Sequence, residues 1–459
     1  MQGNQLLQGF WIMCLATGIL LVLEGLFGDR ETPANGSLAQ GVDSVSVEVV
    51  LAELLAHDSI PESAIVPPSR SETETWSGPL GRFFQDVHRL KQAKGSVRVA
   101  YFGDSMIEGD LVTASLRNDL QELFGGVGVG FVPLTSQTYG FRKSIKHRFS
   151  DHWKDYSLLK KNPTAHGFGI SGEFFLSSLN NQPQKAWVRF EATDLFPRTE
   201  KFEQVRLFYG NSSKAISENK AFVVVTTDLG TDTLHLNPAG AINELVISQE
   251  ETATLELHFH VPKSLPLYGL SFDSEDGVFV DNYASRGNSG MNLIEIPGEN
   301  LSGFQEKLDY DLIVLHFGLN VVSTRRKSFN SYERGMKRVI HHFQTHVPDA
   351  DILLVSVSDK STKIKGKLQT DPSVPLIVEA QRRVAEEMEV SFLDLYQGMG
   401  GHNSMIRWVE SKPSLARSDY THPNRRGAAK VGNIVKQFLL DEYDRHQTGE
   451  TKGEFAAHP

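Results

Sequence analysis

Ser105 stands in the run Gly103-Asp104-Ser105-Met106, directly after the apolar stretch SVRVAYF (96–102) and directly ahead of a helix-forming segment. A serine on such a strand-to-helix turn presents its hydroxyl at the carboxyl edge of a sheet, beside a helix N-terminus, where ligands bind in open α/β folds. The same residues also make an ordinary turn or helix cap, so the run alone is weak. Asn320 is a second position of this kind, in HFGLN at the end of the buried run DLIVLHF (311–317). There an amide can donate to a developing oxyanion, and Gly318 permits close backbone approach. The third is Ser418-Asp419-Tyr420-Thr421-His422-Pro423, just before the last helical stretch. Histidine is the usual general base for a serine, and a carboxylate three residues earlier can turn back to orient the imidazole and stabilise its charged form. Together, and in this order, the three positions point to acyl transfer through a serine nucleophile.

These residues need a scaffold that brings strand ends together. PLGRFFQDVHRLKQAK reads as an amphipathic helix, SVRVAYF as a buried strand and LVTASLRNDLQELFG (111–125) as a helix; strands DLIVLHF, DILLVSV (351–357) and SFLDLY then alternate with helical stretches to the end. Repeated β-α units predict a parallel sheet with helices on both faces, an α/β class. Between them, 186–283 has another texture. TLELHFHV (254–261) alternates strictly, with Leu255, Leu257, Phe259 and Val261 on one face, and AWVRFEA, QVRLFYG, AFVVVTT and YGLSFD add short runs between turn residues. An antiparallel, jelly-roll-like β-sandwich inserted at 186–283 is expected, with 79–185 and 284–446 forming the discontinuous α/β domain and 131–185 an irregular connection.

The chain has 459 residues, ample for more than one domain, and its 40% hydrophobic and 22% charged residues are ordinary globular usage. Lys and Arg number 46 against 56 Asp and Glu, a net charge of −10, the wrong sign for gripping nucleic acid. The single cysteine, Cys14, can form neither an internal disulfide nor a Cys-rich zinc site. Residues 10–23 (FWIMCLATGILLVL) are apolar and uncharged, close to a membrane-spanning length once extended to Phe27. MQGNQLLQ lacks a basic residue and GLFGDRE lacks a cleavage site, which favours an uncleaved anchor at 1–29 over a cleaved signal. A Ser-, Glu-, Pro- and Thr-rich spacer follows at 30–78, and 447–459 reads as a disordered tail. The expected location is extracytoplasmic, tethered to the inner membrane.

GDSM, GLN and DYTH resemble the blocks of the SGNH, or GDSL-type, hydrolases. The resemblance implies a three-layer α/β/α fold with Ser105 as nucleophile, Asp419 as orienting acid and His422 as base. It implies an oxyanion hole of the Ser105 amide, Asn320 and the Gly287 amide in SRGNSGM (285–291). Met106 replaces the usual leucine, and Val321 an acidic residue that often follows the asparagine. The separation of Ser105 from Gly287 by a β-module resembles the bacterial envelope subgroup that deacetylates peptidoglycan or other polysaccharides. The implied activity is a serine esterase acting on an acetylated polysaccharide without metal or organic cofactor. An O-acetyltransferase with the same triad and a non-catalytic polysaccharide binder are the rivals.

Other chemistry-bearing residues give less. His341, His342 and His346 share a helical stretch without a carboxylate at ligand spacing, His258 and His260 lie on the polar side of a strand, and GGVGVGF (125–131) follows a helix where a nucleotide fingerprint follows a strand.

Overall fold

The computed structural model describes residues 78–179, 185–212 and 221–448. The expected anchor at 1–29 and all but the last residue of the expected spacer at 30–78 lie outside the described residues. So does the expected tail beyond Thr448. Along the chain, helix α1 (Gly81–Leu90), strand β1 (Ser96–Gly103) and helix α2 (Thr113–Phe124) come first. Eleven strands follow: β2 (Gly130–Pro133), β3 (Lys146–Phe149), β4 (Trp153–Ser157), β5 (Glu173–Ser177), β6 (Trp187–Glu191), β7 (Gln204–Tyr209), β8 (Phe222–Thr227), β9 (Thr231–His235), β10 (Asn243–Ser248), β11 (Thr254–His260) and β12 (Leu267–Asp273). The chain returns through β13 (Gly277–Ala284), α3 (Gly298–Leu308), β14 (Leu312–His316), α4 (Asn330–His346) and β15 (Asp351–Val355). A hairpin of β16 (Ser361–Ile364) and β17 (Lys367–Thr370) precedes α5 (Ser373–Glu387), β18 (Ser391–Leu393), the short helices α6 (Leu395–Gly398) and α7 (Ser404–Glu410), and α8 (Arg425–Thr448).

β13, β1, β14, β15 and β18 form an all-parallel sheet in that spatial order. β1 and β14 are central and buried along nearly their whole length, as the continuous apolar runs require. α1, α2 and α8 pack together as one helical group and α3, α4 and α5 as another, the two layers that flank a sheet built from β-α units.

The remaining strands form two facing antiparallel sheets. One runs β10-β7-β12-β5-β4 with β2 added against β12, and the other runs β3-β6-β11-β8-β9. Their shared core holds Leu255, Leu257 and Phe259 of β11 against Leu207, Leu270 and Phe272, so the alternation of TLELHFHV points its apolar face inward.

Two expectations at the borders are corrected. Residues 131–185 are not an irregular connection: they contribute β2, β3, β4 and β5 to the sandwich. These strands are short, and several partners lie far along the chain, Gly269 opposite Pro133 and Glu191 opposite Lys146, so no local pattern advertises them. Nor does the insert extend to 283, because Gly277–Ala284 pairs in parallel with β1 and belongs to the hydrolase sheet. A buried apolar run shows that a strand exists but not which sheet takes it.

Arg98, the one charge in SVRVAYF, joins the two units. Its guanidinium donates to both Asp281 carboxylate oxygens at 2.9 and 2.8 Å and to Asp273 of β12, which also accepts from Arg206 at 3.1 Å. Burial acts to raise Asp273, but Arg98 and Arg206 outweigh it and hold the carboxyl below its ordinary range.

Candidate active site

β1 delivers the chain to Gly103, and Asp104 and Ser105 turn out at its carboxyl end. Ser105 Oγ lies 2.9 Å from His422 Nε2, and His422 Nδ1 lies 2.9 Å from Asp419 Oδ2. The three residues expected to act together are thus in contact, across a sequence separation of 317 between Ser105 and His422. The loop carrying the acid and base is closed on itself: the Arg417 N–H donates to the His422 carbonyl at 2.9 Å, and Ala416 bridges to Pro423. Asp419 Oδ1 accepts the backbone N–H groups of Thr421 and His422 at 2.9 and 3.0 Å, leaving Oδ2 for the imidazole. Partial burial acts to raise Asp419, but the hydrogen bonds from His422 and Thr421 prevail and keep it below the ordinary carboxylate value. An ionised Asp419 fixes the tautomer with the proton on Nδ1 and frees Nε2 to accept from Ser105.

Asn320 arrives at the same edge from β14. Gly318, which precedes it, has φ +138, and a Cβ there would stand 3.1 Å from Val357, so the turn that aims Asn320 requires glycine. Asn320 Nδ2 donates to the Asn288 carbonyl at 2.8 Å and to Asp104 Oδ2 at 3.2 Å. Asp104 itself is buried and takes the Met106 N–H on Oδ1 at 3.0 Å. Burial pushes its carboxyl up to about 7, opposed by the Met106, Leu319 and Gly318 amides and by Lys360. Asp104 therefore ties the nucleophile turn to the Asn320 turn. Its identity was visible in GDSM, but its role was not, because nothing local shows that the side chain turns inward toward residues more than 200 positions away.

The segment holding Gly287 is anchored beside them. The Ser285 N–H donates to the Gly103 carbonyl at 2.8 Å, Asn288 N–H to Ser285 at 3.0 Å, and Gly290 N–H to Asn288 Oδ1 at 2.8 Å. Gly287 has φ +86 and open space where a side chain would stand. Among the described residues, neither the Ser105 N–H nor the Gly287 N–H donates to a protein acceptor, the condition expected of groups reserved for an incoming oxyanion. The carbonyl of Asn288 is a further site residue that the sequence did not reveal.

The triad lies at the surface, with the His422 side chain 30% and the Asp419 side chain 44% exposed. A cavity of about 400 Å³ lined by Leu90, Lys94, Phe124 and Asp276 opens at the opposite, amino edge of the sheet and holds none of these groups. The disfavoured histidines take structural places: His342 Nε2 bonds the Ile296 carbonyl at 2.8 Å, and His258 Nε2 bonds Glu256 at 2.6 Å.

Residues 268–430 match the GDSL-like lipase/acylhydrolase family. That span holds Gly287, Asn320, Asp419 and His422, while Ser105 lies ahead of it on the other side of the sandwich. Among solved structures, a peptidoglycan O-acetylesterase matches with a TM-score of 0.63 at 18% identity, covering 81% of this chain and 97% of its own. A family two carbohydrate esterase from Cellvibrio japonicus matches with a TM-score of 0.25 at 9% identity, covering 66% of this chain and 98% of its own. An acetylxylan esterase catalytic mutant from Geobacillus stearothermophilus gives 0.26 at 16%, covering 36% and 73%. No curated protein matches the chain. Fold and family match agree with the resemblance carried by GDSM, GLN and DYTH: the chain has the fold of an SGNH hydrolase.

Proposed function

We propose that this chain, an SGNH/GDSL-type serine hydrolase by its fold and its family match, removes O-acetyl groups from a cell-envelope polysaccharide. The observation that carries the chemistry is the unbroken relay Ser105–His422–Asp419, with 2.9 Å at each step. Ser105 Oγ attacks the acetyl carbonyl as its proton passes to His422 Nε2, and Asp419 stabilises the imidazolium. The negative charge on the carbonyl oxygen falls to the Ser105 and Gly287 amides and to Asn320 Nδ2, which gives up part of its bond to Asp104 or Asn288. His422 returns the proton to the departing sugar oxygen, leaving an acetyl-serine. It then takes a proton from water, hydroxide attacks the acetyl-serine, and His422 passes that proton to Ser105 Oγ as acetate departs.

Two features support a polymeric substrate. The triad is open to solvent, so an acetyl group on a chain need not leave the chain to reach it. The solved peptidoglycan O-acetylesterase shares the fold over 81% of this chain. The sandwich is assigned to polysaccharide engagement, and the apolar run at 10–23 to holding the enzyme at the outer face of the inner membrane.

The test is acetate release from O-acetylated peptidoglycan and other acetylated envelope polymers, by the wild-type protein and by Ser105→Ala, with and without an added sugar acceptor. Serine-dependent acetate release supports the esterase. Acetyl transfer to the added sugar in preference to water would replace it with an O-acetyltransferase. Polymer binding with no ester cleavage would leave a binding protein.

A further inference from the structure

We infer that the polysaccharide is anionic and carboxylate-bearing, held by two basic loops that flank the triad: the segment after Asn320, with Arg325 and Lys327, and the β16–β17 hairpin, with Lys363, Lys365 and Lys367. The inference rests on the esterase reading and names its substrate class.

The first observation is charge placement. The chain carries a net charge of −10, yet VSTRRKSFNSY (322–332) and KSTKIKGKLQT (360–370) contain no Asp or Glu at all. The five named side chains are exposed, and none makes an ion pair among the described residues. Elsewhere, Lys146 pairs with Glu191 and Arg383 with Glu333, while other exposed cations such as Lys154, Lys161 and Arg426 also stand without an ion pair among the described residues. What distinguishes these two loops is the grouping of cations in stretches without acidic residues. Grouped like charges repel and lower stability, so a protein with acidic residues to spare gains nothing structural from keeping these unpaired.

The second is position. The hairpin springs from the end of β15, where Ser358 Oγ lies 3.7 Å from Met106 Sδ, next to the nucleophile. At its base the Ser361 N–H donates to the Tyr420 carbonyl at 2.9 Å, and Tyr420 sits between Asp419 and His422. Lys360 is close enough to draw the Asp104 carboxyl downward. The other loop is tied to the same base, since the Ser323 N–H donates to Ser373 Oγ at 3.1 Å, just beyond the end of β17. Both loops therefore open onto the catalytic edge.

The third is the hairpin turn. Lys365 and Gly366 have φ +49 and +81, so the two-residue turn puts a lysine where a left-handed backbone ordinarily selects asparagine, aspartate or glycine. Lys363 and Lys367 fall on opposite faces, opposite Leu368 and Ile364, so the hairpin is basic at its tip and on both sides. Single cations spread over two loops suit charges repeated along a polymer. A glycan with a carboxylate on its repeating unit has that chemistry.

The test uses three substrates, acetylated pectin (anionic), acetylated glucomannan (neutral) and 4-nitrophenyl acetate, and the variant Lys363→Ala/Lys365→Ala/Lys367→Ala. With the wild type, kcat/KM on acetylated pectin should fall as NaCl is raised, while the neutral polymer is indifferent to salt. The variant should lose about tenfold on pectin, mainly through KM, the scale of electrostatic concentration at a charged cleft. It should keep the small-ester rate, and the corresponding triple Lys→Arg variant should recover the pectin rate. A catalysis-independent arm measures retardation of Ser105→Ala, with and without the three alanines, in gels containing polygalacturonate. Retention that depends on the lysines supports the rim even where no polymer ester is cleaved, an outcome that would sink the esterase reading alone. Equal, salt-insensitive rates on both polymers, retention unchanged by the alanines, or equal retention on dextran sulfate would overturn the carboxylate assignment.

Discussion

Asn320 donates its side-chain amide to Asp104, the residue immediately before the nucleophile, at 3.2 Å, and to the Asn288 carbonyl at 2.8 Å. The amide proposed as an oxyanion donor is thus aimed by the same turn that presents Ser105. Asp104→Asn would set a second amide against the donors that now converge on the carboxylate. It should lower kcat on a small ester at least tenfold with little change in KM, and lower stability by about 1–3 kcal/mol, the range for a buried polar group left badly paired. Kinetics and thermal melts on the variant measure both, and unaltered kcat would mean that Asn320 is oriented without Asp104.

Removing the donor itself should act more strongly. Asn320→Ala should reduce kcat by ~10²- to 10³-fold while KM stays nearly constant, because the amide works on charge that appears only in the transition state. A variant altered only in KM would make Asn320 a substrate-positioning residue.

Polymer and small ester should respond differently to changes outside the triad. Tyr139 and Phe141 are 48% and 57% exposed on the loop between β2 and β3 of the sandwich, and Phe141 Cβ stands 3.0 Å from where a Cβ on Gly109 would lie, four residues after Ser105. Tyr139→Ala/Phe141→Ala should weaken action on acetylated polymer several-fold, as lost stacking against sugar rings would. Hydrolysis of 4-nitrophenyl acetate by that variant should match wild type. Equal losses on the two substrates would place these rings in the shaping of the catalytic turn.

A pH effect on stability should arise far from the site. Asp311 accepts the Arg98 N–H at 2.7 Å, yet burial, reinforced by Asp86 and Asp309, pushes its carboxyl from 3.8 up to about 8. Between those values the folded chain holds a proton that the unfolded chain has released, so the contribution is full at low pH and is lost as pH rises through that window. The melting temperature should decline from about pH 5 to about pH 8. Asp311→Asn, which keeps the acceptor for Arg98, should flatten that decline, and an equally steep fall in the variant would locate the titration elsewhere.

What was legible in the sequence follows from how local each signal is. Ser105 and Asn320 each follow a buried apolar run, and Asp419 and His422 stand just before the last helical stretch and close their contact within three residues, so local spacing exposed all four. Asp104 and Asn288 were not legible because their roles consist of bonds to segments distant in the chain. β13 read as part of the sandwich because its buried pattern, GVFVDNYA, fits either sheet; its parallel pairing with β1 and the Asp281–Arg98 ion pair, both with residues distant in the chain, place it in the parallel sheet. Arg98 looked like an interruption in an apolar strand, since its partners lie more than 170 residues away.

The most direct measurement compares acetate release from an O-acetylated polymer by the wild type and by Ser105→Ala, each confirmed folded by its melting transition. A triad serine leads to a loss on the order of 10⁴- to 10⁶-fold, with residual rate only from the remaining binding and oxyanion groups. Turnover by folded Ser105→Ala close to that of the wild type would contradict a serine acyl-enzyme mechanism.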